Sequence, residues 1–274
     1  MTIDVDYQQF IDFAWELGNT GASKRDHSLY KLLDDISVTY HNKYENLNYD
    51  FHTNGEYNLL RNLSNRFTID LIIDVGANIG EYTSLAQGIS GSEIYSFEPV
   101  IGTYSKLVSK VYNNSKIKTY NLALGDTTGE IDINTHSDNT ISSILDLRPN
   151  ETKTSKIKIT RGDDFFKDIL QENKLYFLKI DTEGFESNVL SGFGEYLKFI
   201  DVIQFEYGKA SLISKYHLID YYNDYNKDFL IGKIYPNKIE FKENYHWGLD
   251  DHIGPNYVMI NRNRKDIIES LKKH

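Results

Sequence analysis

Four carboxylates in this 274-residue chain stand at the ends of short apolar runs. Asp74 lies in Leu71-Ile72-Ile73-Asp74-Val75, and Glu98 follows Ile94-Tyr95-Ser96-Phe97. Asp181 closes Leu175-Tyr176-Phe177-Leu178-Lys179-Ile180, and Glu206 closes Val202-Ile203-Gln204-Phe205. Carboxylates can accept ribose hydroxyls, balance a cation, take a proton from an alcohol or ligate a hard metal. Each run reads as a strand ending in an acid; the first reads as buried on both faces, the pattern of a parallel sheet flanked by helices, and the third as buried too. The acids therefore gather at the carboxyl edge of an open α/β sheet, where ligands bind.

The first run enters Gly76-Ala77-Asn78-Ile79-Gly80, small residues that let the backbone turn tightly against a ligand. A helix opens behind it with Glu81, Tyr82 and Thr83. The dinucleotide fingerprint needs Gly-x-Gly-x-x-Gly, and Gly76-x-Asn78-x-Gly80 has different spacing. Asp74 would also repel a pyrophosphate, whereas an acid suits a cationic ligand such as S-adenosylmethionine. Glu98, one strand–helix–strand unit further on, is placed to accept both hydroxyls of an adenosine ribose, and Pro99 stops that strand.

The positioning elements follow from periodicity. Helices are expected over 6–18 and 24–40, the first ending at Gly18-Asn19 as a C-cap. Another is expected over 56–66, with Glu56 at its start and within reach of a ligand. Residues 117–124 read as one strand, 131–134 and 156–160 as exposed strands, and 137–143 as a loop whose Ser142 and Ser143 are candidates for lining the site. After Asp181 come Thr182, Glu183, Gly184, Phe185 and Glu186, of which Glu186 reads as surface charge. Pairing of the 175–181 and 201–206 strands would bring Asp181 and Glu206 to one pocket. A helix is expected over 215–228, strands near 229–235 and 256–261 with a short continuation at 238–241, and a terminal helix over 264–274. The loop 244–252, with His246, Trp247 and His252, suits a sugar ring.

Composition sets outer limits. The net charge of −10 argues against a nucleic-acid backbone as partner. The lack of cysteine excludes disulfides and thiolate catalysis. No apolar run is long enough to span a membrane, and the N-terminus lacks a signal pattern, so a cytoplasmic location is expected.

Together, Ile73-Asp74-Val75-Gly76-Ala77-Asn78-Ile79-Gly80, Phe97-Glu98-Pro99, Asn121-Leu122-Ala123-Leu124-Gly125-Asp126 and Lys179-Ile180-Asp181-Thr182-Glu183-Gly184 resemble the FkbM-type methyltransferases. The resemblance covers 55–262, with Thr182 in place of the usual valine. It implies a Rossmann-like methyltransferase fold, a seven-stranded, mostly parallel sheet with its last strand antiparallel. It implies S-adenosylmethionine as donor and a sugar, glycan or related hydroxyl as acceptor. By position, Asp74, Gly76, Asn78 and Gly80 would hold the methionine end, Glu98 the ribose, and 123–126, including Ala123 and Asp126, would lie near the adenine. Glu56, Thr83 and Pro99 complete the expected cofactor set. Asp181 and Glu183 would sit near the methyl group.

An alcohol is a poor nucleophile, so a base or a metal should assist. Asp181 is the first candidate base; Asp181, Glu183 and Glu206 could instead hold Mg²⁺ or Mn²⁺, and His246 and His252 are further candidates. The competing readings are an NAD-dependent sugar oxidoreductase or epimerase, and a non-catalytic scaffold on the same fold. Residues 54–274 form the expected methyltransferase domain. Residues 1–53 form a helical extension, read as a cap, a homo-oligomer contact or plain packing.

Overall fold

The computed structural model describes residues 7–135, 142–143, 153–254 and 256–272. The chain divides into two compact units, Met1–Leu47 and Asn48–His274. The first holds helices α1 (Tyr7–Ser23) and α2 (Ser28–Tyr44). The chain does not stop at Gly18: α1 runs through it, and a glycine inside a helix costs only about 1 kcal/mol relative to alanine. The second helix starts later than its periodicity implied, because the His27 side chain accepts the Leu29 N–H and caps it.

The second unit opens with α3 (Glu56–Ser64), β1 (Leu71–Val75), α4 (Glu81–Ser90), β2 (Glu93–Phe97), α5 (Ile101–Val111) and β3 (Ile117–Tyr120). Four short strands follow: β4 (Ala123–Gly125), β5 (Gly129–Thr135), β6 (Ser142–Ser143) and β7 (Lys153–Arg161). The chain then runs α6 (Gly162–Phe166), β8 (Tyr176–Ile180), α7 (Glu186–Phe193), β9 (Val202–Glu206), α8 (Ser211–Ser214) and α9 (Leu218–Tyr225). It ends with β10 (Phe229–Tyr235), β11 (Lys238–Lys242), β12 (Asn256–Asn261) and α10 (Lys265–Lys272).

The large sheet has the order β11-β10-β12-β9-β8-β1-β2-β3. Strands β3, β2, β1, β8 and β9 are parallel, and the last strand in sequence, β12, inserts antiparallel between β9 and β10. This is the expected Rossmann-like arrangement with eight strands rather than seven. The extra one is β11, which the turn after Tyr235 folds back antiparallel onto β10 at the sheet edge.

Alternation along the central strands splits the core into two layers. Ile73, Leu178 and Phe205 face one layer with Val189, Leu190 and Tyr221; Ile72, Phe177 and Val202 face the other with Leu60, Leu63 and Ala86. Each such side chain contributes roughly 1.5–3 kcal/mol through burial, and this fixes the strand register that carries the acids.

Residues 117–124 are not one strand. The Asn121 side chain donates to the carbonyls of Glu98 and Pro99 at 3.0 and 2.8 Å, and the chain leaves the large sheet there. It re-enters as β4 in a second sheet, ordered β4-β7-β5-β6. Within the segment read as a loop, Ser142–Ser143 pair with β5, while 137–141 lie outside the described residues.

Candidate functional site

The glycine turn sits at the carboxyl end of β1. Gly76, Asn78 and Gly80 have φ of +83°, +49° and +83°, the left-handed region that glycine enters freely and asparagine tolerates. The Gly76 and Ala77 N–H groups donate to Phe97 O, tying the turn to β2. Asp181 N–H donates to Val75 O at 3.0 Å, so Asp181 stands beside the turn at the end of the neighbouring strand.

A cavity of about 830 Å³, counting its open mouth, lies over this edge. Gly76, Asn78, Glu98 and Pro99 line one side. Val75, Phe97, Leu122, Ala123, Leu124, Ile133 and Phe185 make an apolar wall, and Thr103, Asp181, Thr182 and Glu183 complete the lining. Ile133, contributed by the second sheet, and the brace Asn121 were missed from sequence. The Asn121-Leu122-Ala123-Leu124 segment was itself the available signal for the second.

Glu98 accepts the Asn78 N–H at Oε2 (3.1 Å) and the Val100 N–H at Oε1 (2.8 Å). Burial raises its pKa to about 7, against the pull of these two N–H groups. An apolar slot with a carboxylate at its rim has the chemistry for a planar base carrying a diol.

Behind the turn lies a buried polar layer. Asp74 has no exposed surface; its Oδ2 accepts Thr83 Oγ1–H at 2.6 Å, and its Oδ1 has no hydrogen-bond partner. Thr83 Oγ1 is also 3.0 Å from Ser96 Oγ. Glu56 is buried, accepting from Asn54, Gln204 and Asn256. Lys179, paired in register with Asp74, places Nζ 2.9 Å from Asp181 Oδ2 and 4.8 Å from the Tyr82 ring centroid. Burial would lower the Lys179 pKa, but Asp181, Asp74 and Glu56 more than offset it and hold it above its ordinary value. A lysine inside an otherwise apolar strand was the signal for this residue, which the sequence reading passed over.

Asp74, Glu56, Gly80 and Thr83 therefore do not line the cavity. Gly80 instead starts α4, and Thr83 pins Asp74. Asp126 does not line it either: its carboxylate accepts from Asn188 and its carbonyl from Arg161.

The strands of Asp181 and Glu206 do pair, with Ile180 opposite Phe205. One carboxylate oxygen from each of Asp181, Glu183 and Glu206 lies within 4.8 Å of the others. Glu183 is held there by a left-handed backbone, φ +56°. Burial, then the charges of Asp181 and Glu183, push the Glu206 pKa well above the usual carboxylate value. Glu186 is not surface charge. It is buried, and its Oε1 accepts from Thr182 N–H, Thr182 Oγ1–H and Gly184 N–H, satisfying donors in the turn before α7.

The 244–252 loop is anchored next to Glu206. Asp250 accepts from the Tyr207 hydroxyl, from Tyr245 OH at 2.6 Å and from Leu218 N–H at 2.8 Å. His252 Nδ1 lies 2.9 Å from Ser211 Oγ. Trp247 is 78% exposed. His246 is exposed and caps the short turn Trp247–Leu249 through Gly248 N–H; it is not part of the acid group.

Residues 74–226, more than half the chain, match the family described as the methyltransferase FkbM domain, and the chain belongs to that family. No curated protein matches it. Among solved structures it is similar to a protein assigned as an rRNA-methylase from Clostridium thermocellum, at 9% identity and a TM-score of 0.43, covering 76% of this chain and 97% of that one. It is also similar to a Streptococcus mutans protein assigned as a methyltransferase and solved with SAH, at 11% identity and a TM-score of 0.40, covering 75% and 94%. The protein is an S-adenosylmethionine-dependent methyltransferase, which decides against the oxidoreductase and scaffold readings. Among the described residues no helix is long and apolar enough to cross a membrane.

Proposed function

We propose that the chain moves a methyl group from S-adenosylmethionine to a hydroxyl oxygen of a sugar, glycan or related small molecule. The observation that carries this reading is that Asp181 and Glu183 belong both to the cavity lining and to the carboxylate group completed by Glu206. Cofactor pocket and proton-accepting groups are thus continuous.

The residues present fit the donor. Glu98 has lone pairs left for ribose hydroxyls after its two backbone bonds, and Ala123, Leu124 and Phe185 suit an adenine. Gly76 and Asn78 flank the methionine end, while Asp74, Thr83 and Glu56 act from behind by shaping the turn and its potential. The cofactor, when bound, supplies the electrophilic methyl group. The protein aligns the acceptor oxygen and removes its proton. Glu206 is the better proton acceptor in this reading, because burial and the charges of Asp181 and Glu183 raise its pKa and so make it the more basic carboxylate. Asp181, oriented by Lys179, positions the acceptor hydroxyl. The exposed Trp247 and its tyrosine-anchored loop offer a sugar a flat apolar face.

A second reading rests on the same three oxygens: Asp181, Glu183 and Glu206 suit a hard cation such as Mg²⁺ or Mn²⁺, which would activate the hydroxyl in place of a base.

The test is turnover with S-adenosylmethionine on a panel of sugars, glycans and RNA, read by mass spectrometry for one added methyl. Methylated sugar is expected; methylated RNA alone would overturn the acceptor class. Glu206→Gln should lower turnover by about 10²–10⁴-fold with S-adenosylhomocysteine affinity unchanged. Activity abolished by chelator and restored by Mg²⁺ would replace the base with the metal.

A further inference from the structure

The N-terminal helices carry an apolar surface of their own. In α1, Phe10, Phe13 and Leu17 recur at i, i+3 and i+7; in α2, Leu29, Leu32, Leu33, Ile36 and Tyr40 continue the same spacing. That spacing puts each set on one helix face. No Asp, Glu, Lys or Arg occupies these positions.

Within this unit the stripes are uncovered. Phe10 and Phe13 are 59% and 60% exposed, and Leu29, Leu32, Ile36 and Tyr40 are 53%, 54%, 55% and 69% exposed. Neither helix has a single buried residue. Isolated helices of this length are marginal in water. The first is further weakened by Gly18, around which there is open space, and by Gly21. Packing of the apolar face must supply the missing stability.

We propose that this unit is a homodimerisation module, in which the stripes of two copies close into a four-helix bundle. The area fits. The six exposed side chains leave on the order of 800 Å² per chain, the share each partner contributes to a standard interface. A helix face that is apolar along about 17 Å, from Leu29 to Tyr40, also matches itself in a two-fold arrangement. Charge argues against an anionic membrane or a nucleic acid as the occupant. Residues 1–47 hold four Lys or Arg against eight Asp or Glu, a net −4, whereas an anionic bilayer or a nucleic acid calls for clustered cations.

Sedimentation equilibrium on the full chain tests this. The wild type should be a dimer at low micromolar concentration. The doubly substituted Leu32→Glu/Ile36→Glu chain should be a monomer whose thermal shift with S-adenosylhomocysteine equals that of wild type, so that loss of the dimer is separated from loss of the catalytic fold. The milder Ile36→Ala should raise the dimer dissociation constant at least about a hundredfold, since two buried side chains are truncated per dimer. A wild-type monomer at tens of micromolar, a charged variant that remains dimeric, or a monomer that co-sediments with phosphatidylcholine–phosphatidylserine vesicles would each overturn the proposal.

Discussion

Lys179 Nζ lies 2.9 Å from Asp181 Oδ2, and the lysine side chain is 5% exposed where the aspartate's is 44%. The cation is thus rooted in the interior between β1 and β8, with its partner at the cavity. Asp74 and Glu56 share its field from behind, and burial raises the pKa of both.

Removing that cation should cost more than the pair itself contributes. Lys179→Met leaves buried acids with no counter-charge, so a loss of about 3–5 kcal/mol in unfolding free energy is expected, measured by urea denaturation at neutral pH. The loss should shrink on acidification, because Asp74 and Glu56 can then be neutral in the folded state. A variant as stable as wild type at neutral pH would show that Lys179 does not hold these acids.

Glu98 gives the site a pH dependence with a definite sign. Its pKa is raised to about 7, and ribose hydroxyls donate best to the ionised form. Affinity for S-adenosylhomocysteine, measured by calorimetry, should be level above about pH 7 and weaken by up to about tenfold per unit below it. Glu98→Gln should bind weakly and without this dependence. The same shift acts oppositely on the fold. Between the ordinary value of 4.5 and about 7 the folded state keeps a proton that the unfolded chain has lost, so this group's contribution to stability falls as pH rises through that window.

The parts of this design legible in the sequence were those fixed by periodicity and local sterics. Doubly buried strands around Asp74 and Asp181 and the glycine turn needed only neighbouring residues to be recognised. What escaped depended on contacts far along the chain. The break after Tyr120 is made by Asn121 reaching back to Glu98 and Pro99, contacts that the apolar pattern of 117–124 does not show. The start of α9 is set by the reciprocal His217–Asp220 capping box, so the helix is shorter than its tyrosine pattern implied. Glu186 looked solvated because two of its three donors are backbone N–H groups, which carry no letter in a sequence.

The glycine turn can be tested against a neighbouring glycine at the same edge of the sheet. A Cβ on Gly76 would come 1.8 Å from the Asp181 carbonyl oxygen, and its φ of +83° already disfavours any side chain. The contact is with backbone, so relief requires β1 and β8 to part just where Asp181 N–H meets Val75 O. Gly208, two residues beyond Glu206, has nothing within 4 Å of the same virtual atom. Gly76→Ala should therefore cost at least about 2–3 kcal/mol and abolish the thermal shift with S-adenosylhomocysteine. Gly208→Ala should stay within about 0.5 kcal/mol of wild type and keep the shift. Equal tolerance of both substitutions would mean that the close approach of Gly76 to Asp181 is not what shapes the pocket.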